Sequence, residues 1–217
     1  MRIELVGGLG VGKSTLCNAL DKIGFRCLYE TLDTNPFLAD CYAEPVNFRF
    51  SSQMWFVLSK FHEILKSQSN DSIHVLDQSV LNVRAYTNIL FRNEDGKAHE
   101  IINQCFAYLG EKAGPPDLLI NLQCSPAEQL RRIKMRGRSF ELGVDLAYVT
   151  QLQDEINDLL SKSRATVKVI DIDTEEIYLP GNFAFAEDLA RQIARMVGLP
   201  EDRMIDPEFP RQYSLAG

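Results

Sequence analysis

The chain has 217 residues, of which 45% are hydrophobic and 24% are charged, an ordinary composition for a globular protein. Its formal net charge of −7 argues against a nucleic-acid partner, because binding to a phosphate backbone requires a basic surface. No stretch approaches the roughly 18 consecutive apolar residues of a membrane span, and the short start before the first predicted strand leads us to expect no signal peptide. Five scattered cysteines without a C-x-x-C pair predict reduced thiols and a cytoplasmic location, so the expected partners are small molecules.

Apolar, β-branched segments alternate with helix-compatible stretches along most of the chain. Strands are predicted at 2–6, 26–29, 72–76, 117–122 and 167–172. Helices are predicted at 13–23, 48–67, 80–90, 99–109, 126–135, 146–161 and 185–197. This alternation indicates an α/β fold, with a five-stranded parallel sheet flanked by helices on both faces. We expect a single domain over residues 1–217, whose tail at about 200–217 lies over the surface.

The first predicted strand-to-helix turn carries a phosphate-binding pattern. Residues 7–14 match G-x-x-x-x-G-K-S between a strand and a helix. Glycines let backbone N–H groups converge on phosphate oxygens, and the N-terminus of the helix adds its positive dipole end. Lys13 is expected to reach the β- and γ-phosphates, and the Ser14 hydroxyl is expected to ligate Mg²⁺. The predicted nucleoside triphosphate site comprises Gly7, Gly8, Gly10, Gly12, Lys13, Ser14 and Thr15.

Two acidic residues directly follow predicted strands, where the ligands of open parallel sheets bind. Glu30 suits either a general base for a hydroxyl that attacks the γ-phosphate or an exposed acid that caps a helix. Asp77 occupies a position at which P-loop enzymes hold Mg²⁺. No lysine or arginine occurs between Glu30 and Arg49, which favours a neutral hydroxyl acceptor over one that already carries phosphate.

Several arginines lie at the end of the helix predicted at 126–135. The helix is expected to begin with a capping box formed by Ser125 and Glu128. Arg132 and Arg136 share one helical face, and Arg138 follows in the loop beyond. Arginines on a mobile flap suit a γ-phosphoryl group whose charge spreads in the transition state. The alternative is a solvated basic helix end that complements the helix dipole.

With these motifs in order, the sequence resembles the deoxynucleoside kinase family, P-loop enzymes that phosphorylate the 5′-hydroxyl of deoxynucleosides. The resemblance extends from the phosphate loop to about Ile172. It rests on that loop, on Glu30 leading into Asn-Pro-Phe-Leu at 35–38, on the helix at 52–60, on Asp-Gln-Ser at 77–79, and on 132–141. The segment 35–38 is similar to the bacterial purine-preferring branch, and residues of about 132–144 look like the family's lid.

The resemblance implies ATP and Mg²⁺ as cofactors, a homodimer, and a role for each matched residue. Glu30 is implied to be the general base, and Gln53 to hydrogen-bond the nucleobase with its amide donor and acceptor. The loop at 173–176 is implied to border the adenine of the donor. The implied catalytic set is Glu30, Lys13, Arg132, Arg136 and Arg138; the implied substrate contacts are Glu30, Gln53, Lys60, Gln78 and Glu141; the implied metal ligands are Ser14 and Asp77.

Three positions depart from the family pattern. Gln78 replaces an arginine that helps to neutralise charge near the transferred phosphoryl group, so lower turnover or a local substitute is expected. Lys60 replaces an arginine on the helix that carries Gln53, and it keeps the charge without the bidentate fork. Val83 replaces the acid that pairs with that arginine, and Arg84 sits one residue further on. Base preference therefore does not follow from the resemblance.

Three functions fit these observations. The leading one is ATP- and Mg²⁺-dependent phosphorylation of a deoxynucleoside in nucleotide salvage, with purines slightly favoured. The second is a nucleoside monophosphate kinase similar to thymidylate kinase, against which the uncharged stretch after Glu30 argues. The third is a nucleotide-binding module of kinase ancestry with little catalysis, which Gln78 and Val83 motivate.

Overall fold

The computed structural model describes residues 1–30, 32–68, 73–138, 141–177 and 179–198, without the side chain of Asp33. The strands are β1 (Arg2–Val6), β2 (Arg26–Leu28), β3 (His74–Leu76), β4 (Leu118–Gln123) and β5 (Lys168–Asp173). The helices are α1 (Lys13–Lys22), α2 (Leu38–Ala43), α3 (Pro45–Ser67), α4 (Val80–Phe91), α5 (Gly96–Ala113), α6 (Pro126–Arg136), α7 (Leu146–Ser163) and α8 (Phe183–Val197). A short 3₁₀ helix spans Leu32–Thr34.

All five strands are parallel and lie in the order β2-β3-β1-β4-β5. The phosphate-binding turn after β1 therefore lies at the centre of the sheet, between the loops that follow β3 and β4. The register pairs Leu28 of β2 with Leu76 of β3, so the segments that carry Glu30 and Asp77 leave the same edge side by side. This arrangement is the site position expected for an open α/β sheet.

Alternate residues of the central strands face opposite layers of helices. Ile3 and Leu5 of β1 lie in a buried cluster with residues of α1 and α8, whereas Val6 packs with residues of α4 and α7. A third cluster joins α3, α4 and α5 next to Leu76 of β3. The period of two along β1 therefore covers both faces of the sheet with helices. The α/β fold class predicted from the sequence is confirmed.

The structure differs from the sequence prediction in its helix ends and in one helix that was missed. α3 begins at Pro45, with proline at its first turn, and α5 extends from Gly96 to Ala113. α2 was not predicted because none of its residues is buried, so the segment has no apolar period to detect. The predicted start of the third strand at Ser72 and the tail at 200–217 lie outside the described residues. Within the described ranges, no helix combines the length and apolar character needed to cross a membrane.

Candidate active site

The N-terminus of α1 is an uncapped helix end that faces the phosphate-binding turn. Gly12 precedes the helix in a left-handed conformation, no side chain caps the first turn, and no acidic residue lies in it. By contrast, α4, α5, α6, α7 and α8 are each capped by a side chain of the preceding residue. The first amides of α1 thus point at an anion site together with the positive end of the helix dipole.

Two glycines of the turn occupy positions that no side chain fits. Gly7 has φ of +141°, and a Cβ there would lie 2.2 Å from the backbone oxygen of Leu122 in β4. Gly10 has φ of +75°, and a Cβ there would lie 2.8 Å from the backbone oxygen of Gln129 in α6. The turn is therefore pressed against β4 and α6, which fixes its shape.

Lys13 closes over the turn with its ammonium group. Nζ donates hydrogen bonds to the carbonyl oxygens of Gly7 at 2.8 Å and Gly8 at 2.7 Å. Burial lowers the pKa of Lys13, while the nearby carboxylates of Asp77 and Glu30 act against that shift. Arg136, an arginine of the predicted lid, also lowers the pKa of Lys13.

Ser14 and Asp77 form a pair of oxygen ligands beside the turn. The Ser14 hydroxyl donates to Oδ2 of Asp77 at 2.7 Å. The other carboxylate oxygen of Asp77 is buried and has no hydrogen-bond partner among the described residues. A hydroxyl and an orphaned carboxylate oxygen suit Mg²⁺, which takes one or two protein oxygens and fills its other positions with water and phosphate oxygens. The residues present therefore fit this ion.

Glu30 lies two residues beyond the end of β2. The charges of Lys13, in the phosphate-binding turn, and of Asp77, the predicted metal ligand, both act on its carboxyl. Burial raises the pKa of its carboxyl, Lys60 and Lys13 act to lower it, and Asp77 and Glu63 act to raise it. The competing expectation of an exposed acid that caps an α-helix does not fit, because Glu30 is half-buried and the next α-helix, after the short 3₁₀ helix at Leu32–Thr34, begins only at Leu38.

Asn35 fixes the loop between Glu30 and α2 onto α3. Its side-chain amide donates to the carbonyl oxygen of Ser52 at 3.2 Å and to the Ser52 hydroxyl at 3.0 Å. Its Oδ1 accepts from the backbone N–H of Phe37 at 2.9 Å. The Asn-Pro-Phe-Leu segment thus sets the path of the chain after Glu30.

Gln53 is buried on α3 and contacts α4. Its Nε2 donates to the carbonyl oxygen of Val83 at 3.0 Å and to the Thr87 hydroxyl at 2.9 Å. The expected recognition of a base by both ends of this amide is not made in this conformation, because the donor is already used. Recognition by Gln53 in this state is limited to its carbonyl oxygen.

Lys60 and Val83, two of the three positions that depart from the family pattern, make other contacts in the structure. Lys60 is buried and donates to Oε2 of Glu63 at 2.8 Å, an i,i+3 pair on α3. Val83 is buried in the cluster that joins α3, α4 and α5. The guanidinium of Arg84 lies 5.3 Å from the ring centroid of Phe106, so it does not replace the missing acid–arginine pair.

Two of the three arginines of the predicted lid converge on one carboxylate. Arg136 donates from Nε to Oε2 of Glu141 at 2.7 Å and forms a second, shorter bond from Nη2 to Oε1. Arg138 approaches Oε1 of the same residue at 4.0 Å. Residues 139 and 140 of the predicted lid lie outside the described residues. Arg136 and Arg138, which are predicted to bind phosphate, thus lie beside Glu141, and the charge of Arg136 contributes to the lowered pKa of Lys13.

Arg132 points to a different partner. It donates to Oε1 of Glu128 at 2.6 Å and to the carbonyl oxygen of Thr174 at 2.6 Å, in the loop after β5. The predicted capping box is half correct: Ser125 accepts from the N–H of Glu128, but the N–H of Ser125 donates to Glu175. Glu128 is unavailable as the return cap because its carboxylate pairs with arginines of α6.

Sequence reasoning missed several polar residues that hold the site. Oε2 of Glu4 in β1 accepts from the Ser79 hydroxyl at 2.7 Å and the Val80 N–H at 3.1 Å, at the start of α4. Asn82 donates to the carbonyl oxygen of Gly7 at 2.6 Å. The only signal for Glu4 was a charge inside an otherwise apolar strand.

A cavity of about 400 Å³ beside α1 was also missed by the sequence analysis. It is lined by Ser14, Thr15, Asn18, Ala19, Lys22, Pro180, Gly181 and Phe183.

Known proteins share both the sequence pattern and the fold. A sequence model of the deoxynucleoside kinase family matches residues 3–197. A deoxyguanosine kinase of Lactobacillus acidophilus is 34% identical over 171 residues, which cover 73% of this chain and 71% of that protein. A deoxyadenosine kinase of Dictyostelium discoideum is 28% identical over 187 residues, covering 84% and 76%. A solved deoxyadenosine kinase from M. mycoides has a TM-score of 0.75 at 18% identity, covering 88% of this chain and 100% of that chain.

Proposed function

Because this chain belongs to the deoxynucleoside kinase family, we propose that it transfers the γ-phosphoryl group of ATP to the 5′-hydroxyl of a deoxynucleoside, with purine deoxynucleosides favoured. One observation carries the proposal: beside the turn that the Lys13 ammonium closes, the Ser14 hydroxyl donates to Asp77, and the pairing of Leu28 with Leu76 brings the segment of Glu30 out next to that of Asp77. A donor clamp, a metal ligand and a candidate base thus share one site, as phosphoryl transfer requires.

On the donor side, the amides at the start of α1 and the ammonium of Lys13 bind the phosphates. Binding replaces the contacts of Lys13 with the Gly7 and Gly8 carbonyls by charge-assisted contacts with phosphate oxygens. Arg136 and Arg138 neutralise the charge that develops on the transferred group. Ser14 and Asp77 would hold Mg²⁺, which supplies charge neutralisation at the phosphates when bound.

On the acceptor side, Glu30 orients the 5′-hydroxyl and accepts its proton. The hydroxyl oxygen then forms a bond to the γ-phosphorus as the bond to the β-γ bridging oxygen breaks, and ADP leaves. Gln53 and Glu141 line the proposed nucleoside site from α3 and the lid. Catalysis rests on positioning and electrostatics rather than on a covalent intermediate.

The test is a panel of the four natural deoxynucleosides, their ribonucleoside counterparts and the corresponding monophosphates, assayed for ADP release with ATP and Mg²⁺. We expect turnover with deoxynucleosides, largest with a purine, and loss of turnover in excess EDTA. Activity with monophosphates alone would replace the proposal by a monophosphate kinase. ATP binding without turnover on any acceptor would favour a binding module.

The pH dependence of kcat/KM for the deoxynucleoside tests the role of Glu30. A base must be ionised, so activity rises as pH rises through the pKa of Glu30. Since burial raises that pKa above the ordinary value of 4.5, the acidic limb is expected at higher pH than for a free glutamate. The charged and titratable side chains that act electrostatically with Glu30 are Lys60, Glu63, Lys13, Asp77, Tyr42 and Tyr86. A limb at or below the ordinary value would contradict this assignment.

The proposal also includes the location of the protein, its oligomeric state and its domain organisation. A cytoplasmic location is supported by the five cysteines, all of which lie among the described residues as free thiols. A homodimer is proposed by analogy with the family. A single domain over residues 1–217 is proposed because the sequence contains no internal repeat, low-complexity tract or linker.

A further inference from the structure

Strand β1, at the centre of the sheet, carries a buried ion pair. Arg2 is 6% exposed and Glu4 is 2% exposed, and Nε of Arg2 lies 2.9 Å from Oε1 of Glu4. Both share one face of β1 with Val6, which packs with residues of α4 and α7. Well-packed apolar residues of similar volume are often at least as stable as a buried ion pair. Stability alone therefore does not account for two charges at this place.

The carboxylate of Glu4 binds the first turn of α4. Its Oε2 accepts from the Ser79 hydroxyl at 2.7 Å and from the Val80 N–H at 3.1 Å. The Ser79 oxygen in turn accepts from the N–H of Leu81 at 3.0 Å, as the N-cap of the helix. The backbone N–H of Ser79 also donates to the carbonyl oxygen of Leu5 at 2.9 Å. The start of α4 is thus fixed on β1 by both backbone and side chain.

The same turn of α4 contacts the phosphate-binding turn. Asn82, three residues after the N-cap, is buried and donates from Nδ2 to the carbonyl oxygen of Gly7 at 2.6 Å. Nζ of Lys13 donates to the same carbonyl at 2.8 Å. On its other side, Gly7 lies so close to β4 that a Cβ there would be 2.2 Å from the backbone oxygen of Leu122. Gly7 is therefore held between β4 and the first turn of α4.

Arg2 fixes the direction of the Glu4 carboxylate. Its two terminal nitrogens donate to the carbonyl oxygens of Ala113 at 3.0 Å and Gly114 at 2.6 Å, at the C-terminal end of α5. Its backbone N–H donates to Oδ2 of Asp117 at 2.7 Å. With both terminal nitrogens bound to α5, the guanidinium presents Nε to Glu4. One carboxylate oxygen of Glu4 thus faces Arg2, and the other faces α4.

We infer that Glu4, oriented by Arg2, is a positioning residue for the phosphate donor, because it sets the first turn of α4 from which Asn82 holds Gly7. This inference rests on the proposed function, since it takes the ligand of the turn to be a nucleoside triphosphate. An apolar side chain at position 4 could fill the same volume, but it could not accept from the Ser79 hydroxyl or the Val80 N–H.

Replacement of one or both charges separates positioning from stability. Glu4→Leu leaves the charge of Arg2 buried without its partner, so this variant is expected to melt at a lower temperature than the wild type. Adding Arg2→Met removes that charge, and the double variant is expected to regain most of the lost melting temperature. In both variants, ATP binding with Mg²⁺, measured by calorimetry, is expected to be weaker by roughly tenfold. A purely structural pair would regain ATP binding together with the melting temperature.

The matched control is Arg92→Met with Glu155→Leu, which removes the 2.7 Å ion pair between the far end of α4 and α7. This control is expected to bind ATP as the wild type does. Wild-type ATP binding in the double variant of Arg2 and Glu4 would overturn the inference. An equal loss of ATP binding in the control would also overturn it, because the effect would then belong to α4 as a whole.

Asn82→Leu keeps the inference testable if the variants of the ion pair do not fold. It removes the hydrogen bond to Gly7 and leaves Arg2 and Glu4 in place, so ATP binding is again expected to be weaker by roughly tenfold. Wild-type binding in a folded Asn82→Leu protein would overturn the inference. A wild-type protein that binds ATP but phosphorylates no deoxynucleoside overturns the proposed function alone, since ATP binding by the variants still decides this inference.

Discussion

Glu30→Gln is expected to lower kcat for the deoxynucleoside by roughly 10²- to 10⁴-fold, because the amide cannot accept the proton of the 5′-hydroxyl. KM should change less, since glutamine keeps the size and hydrogen-bonding capacity of the side chain. The acidic limb of the pH profile should disappear with the base. Steady-state kinetics over a pH series measures all three effects.

The stability of the same variant separates a catalytic role from a structural one. Burial raises the pKa of Glu30 in the folded state, so its ionised form destabilises the fold, and the cost appears as pH rises through that pKa. At neutral pH, Glu30→Gln is therefore expected to melt at the same or a higher temperature than the wild type. Glu100→Gln, at an exposed position of α5, is the control. Full activity in Glu30→Gln would remove Glu30 from the mechanism.

Lys13→Met is expected to lower kcat/KM for ATP by roughly 10²- to 10³-fold, because the variant loses the charge that binds the β- and γ-phosphates. The turn itself should survive, since the Gly7 carbonyl still accepts from Asn82 at 2.6 Å. Methionine has nearly the length of lysine and is easier to bury, which keeps the melting temperature close to that of the wild type. Kinetics at varied ATP and thermal unfolding measure the two effects.

Lys162→Met is the matched control for this prediction, because Lys162 is an exposed lysine of α7 paired with Asp158. Its kinetic constants are expected to equal those of the wild type, since an exposed pair contributes little to stability. Unchanged kinetics with ATP in Lys13→Met would contradict the assignment of the phosphate loop.

The sequence predicted the five strands, their alternation with helices and the family because those features depend on local patterns. The apolar run before Gly7 and the amphipathic run after Lys13 are visible in any short window, and the match to the deoxynucleoside kinase family is confirmed. By contrast, α2 has no buried residue, and so it leaves no periodic signal. The capping box at Ser125 was half wrong because the backbone N–H of Ser125 donates to Glu175, 50 residues further along the chain, instead of to Glu128.

In the candidate site, too, the sequence predicted local features but not the contacts that single side chains make with distant segments. Sequence spacing placed Gln53 and Lys60 on one helix, but it could not show that Gln53 donates to the Val83 carbonyl. The pair between Lys60 and Glu63 has a detectable i,i+3 spacing, yet nothing in the spacing indicates that Lys60 is buried. Such contacts depend on how the strands bring distant segments together, and the assigned roles stay predictions until the variants are measured.

The bond between Arg136 and Glu141 has a consequence for the selectivity of the lid among the many anions of a cell. The carboxylate of Glu141 pairs with Arg136 and lies 4.0 Å from Arg138, so it offsets the charge of these two arginines in this state. A phosphate group that binds there must displace an ion already in place. Small anions such as inorganic phosphate or chloride gain few other contacts and are therefore expected to displace Glu141 poorly. A ligand that is also bound elsewhere on the protein is expected to bind these arginines more readily.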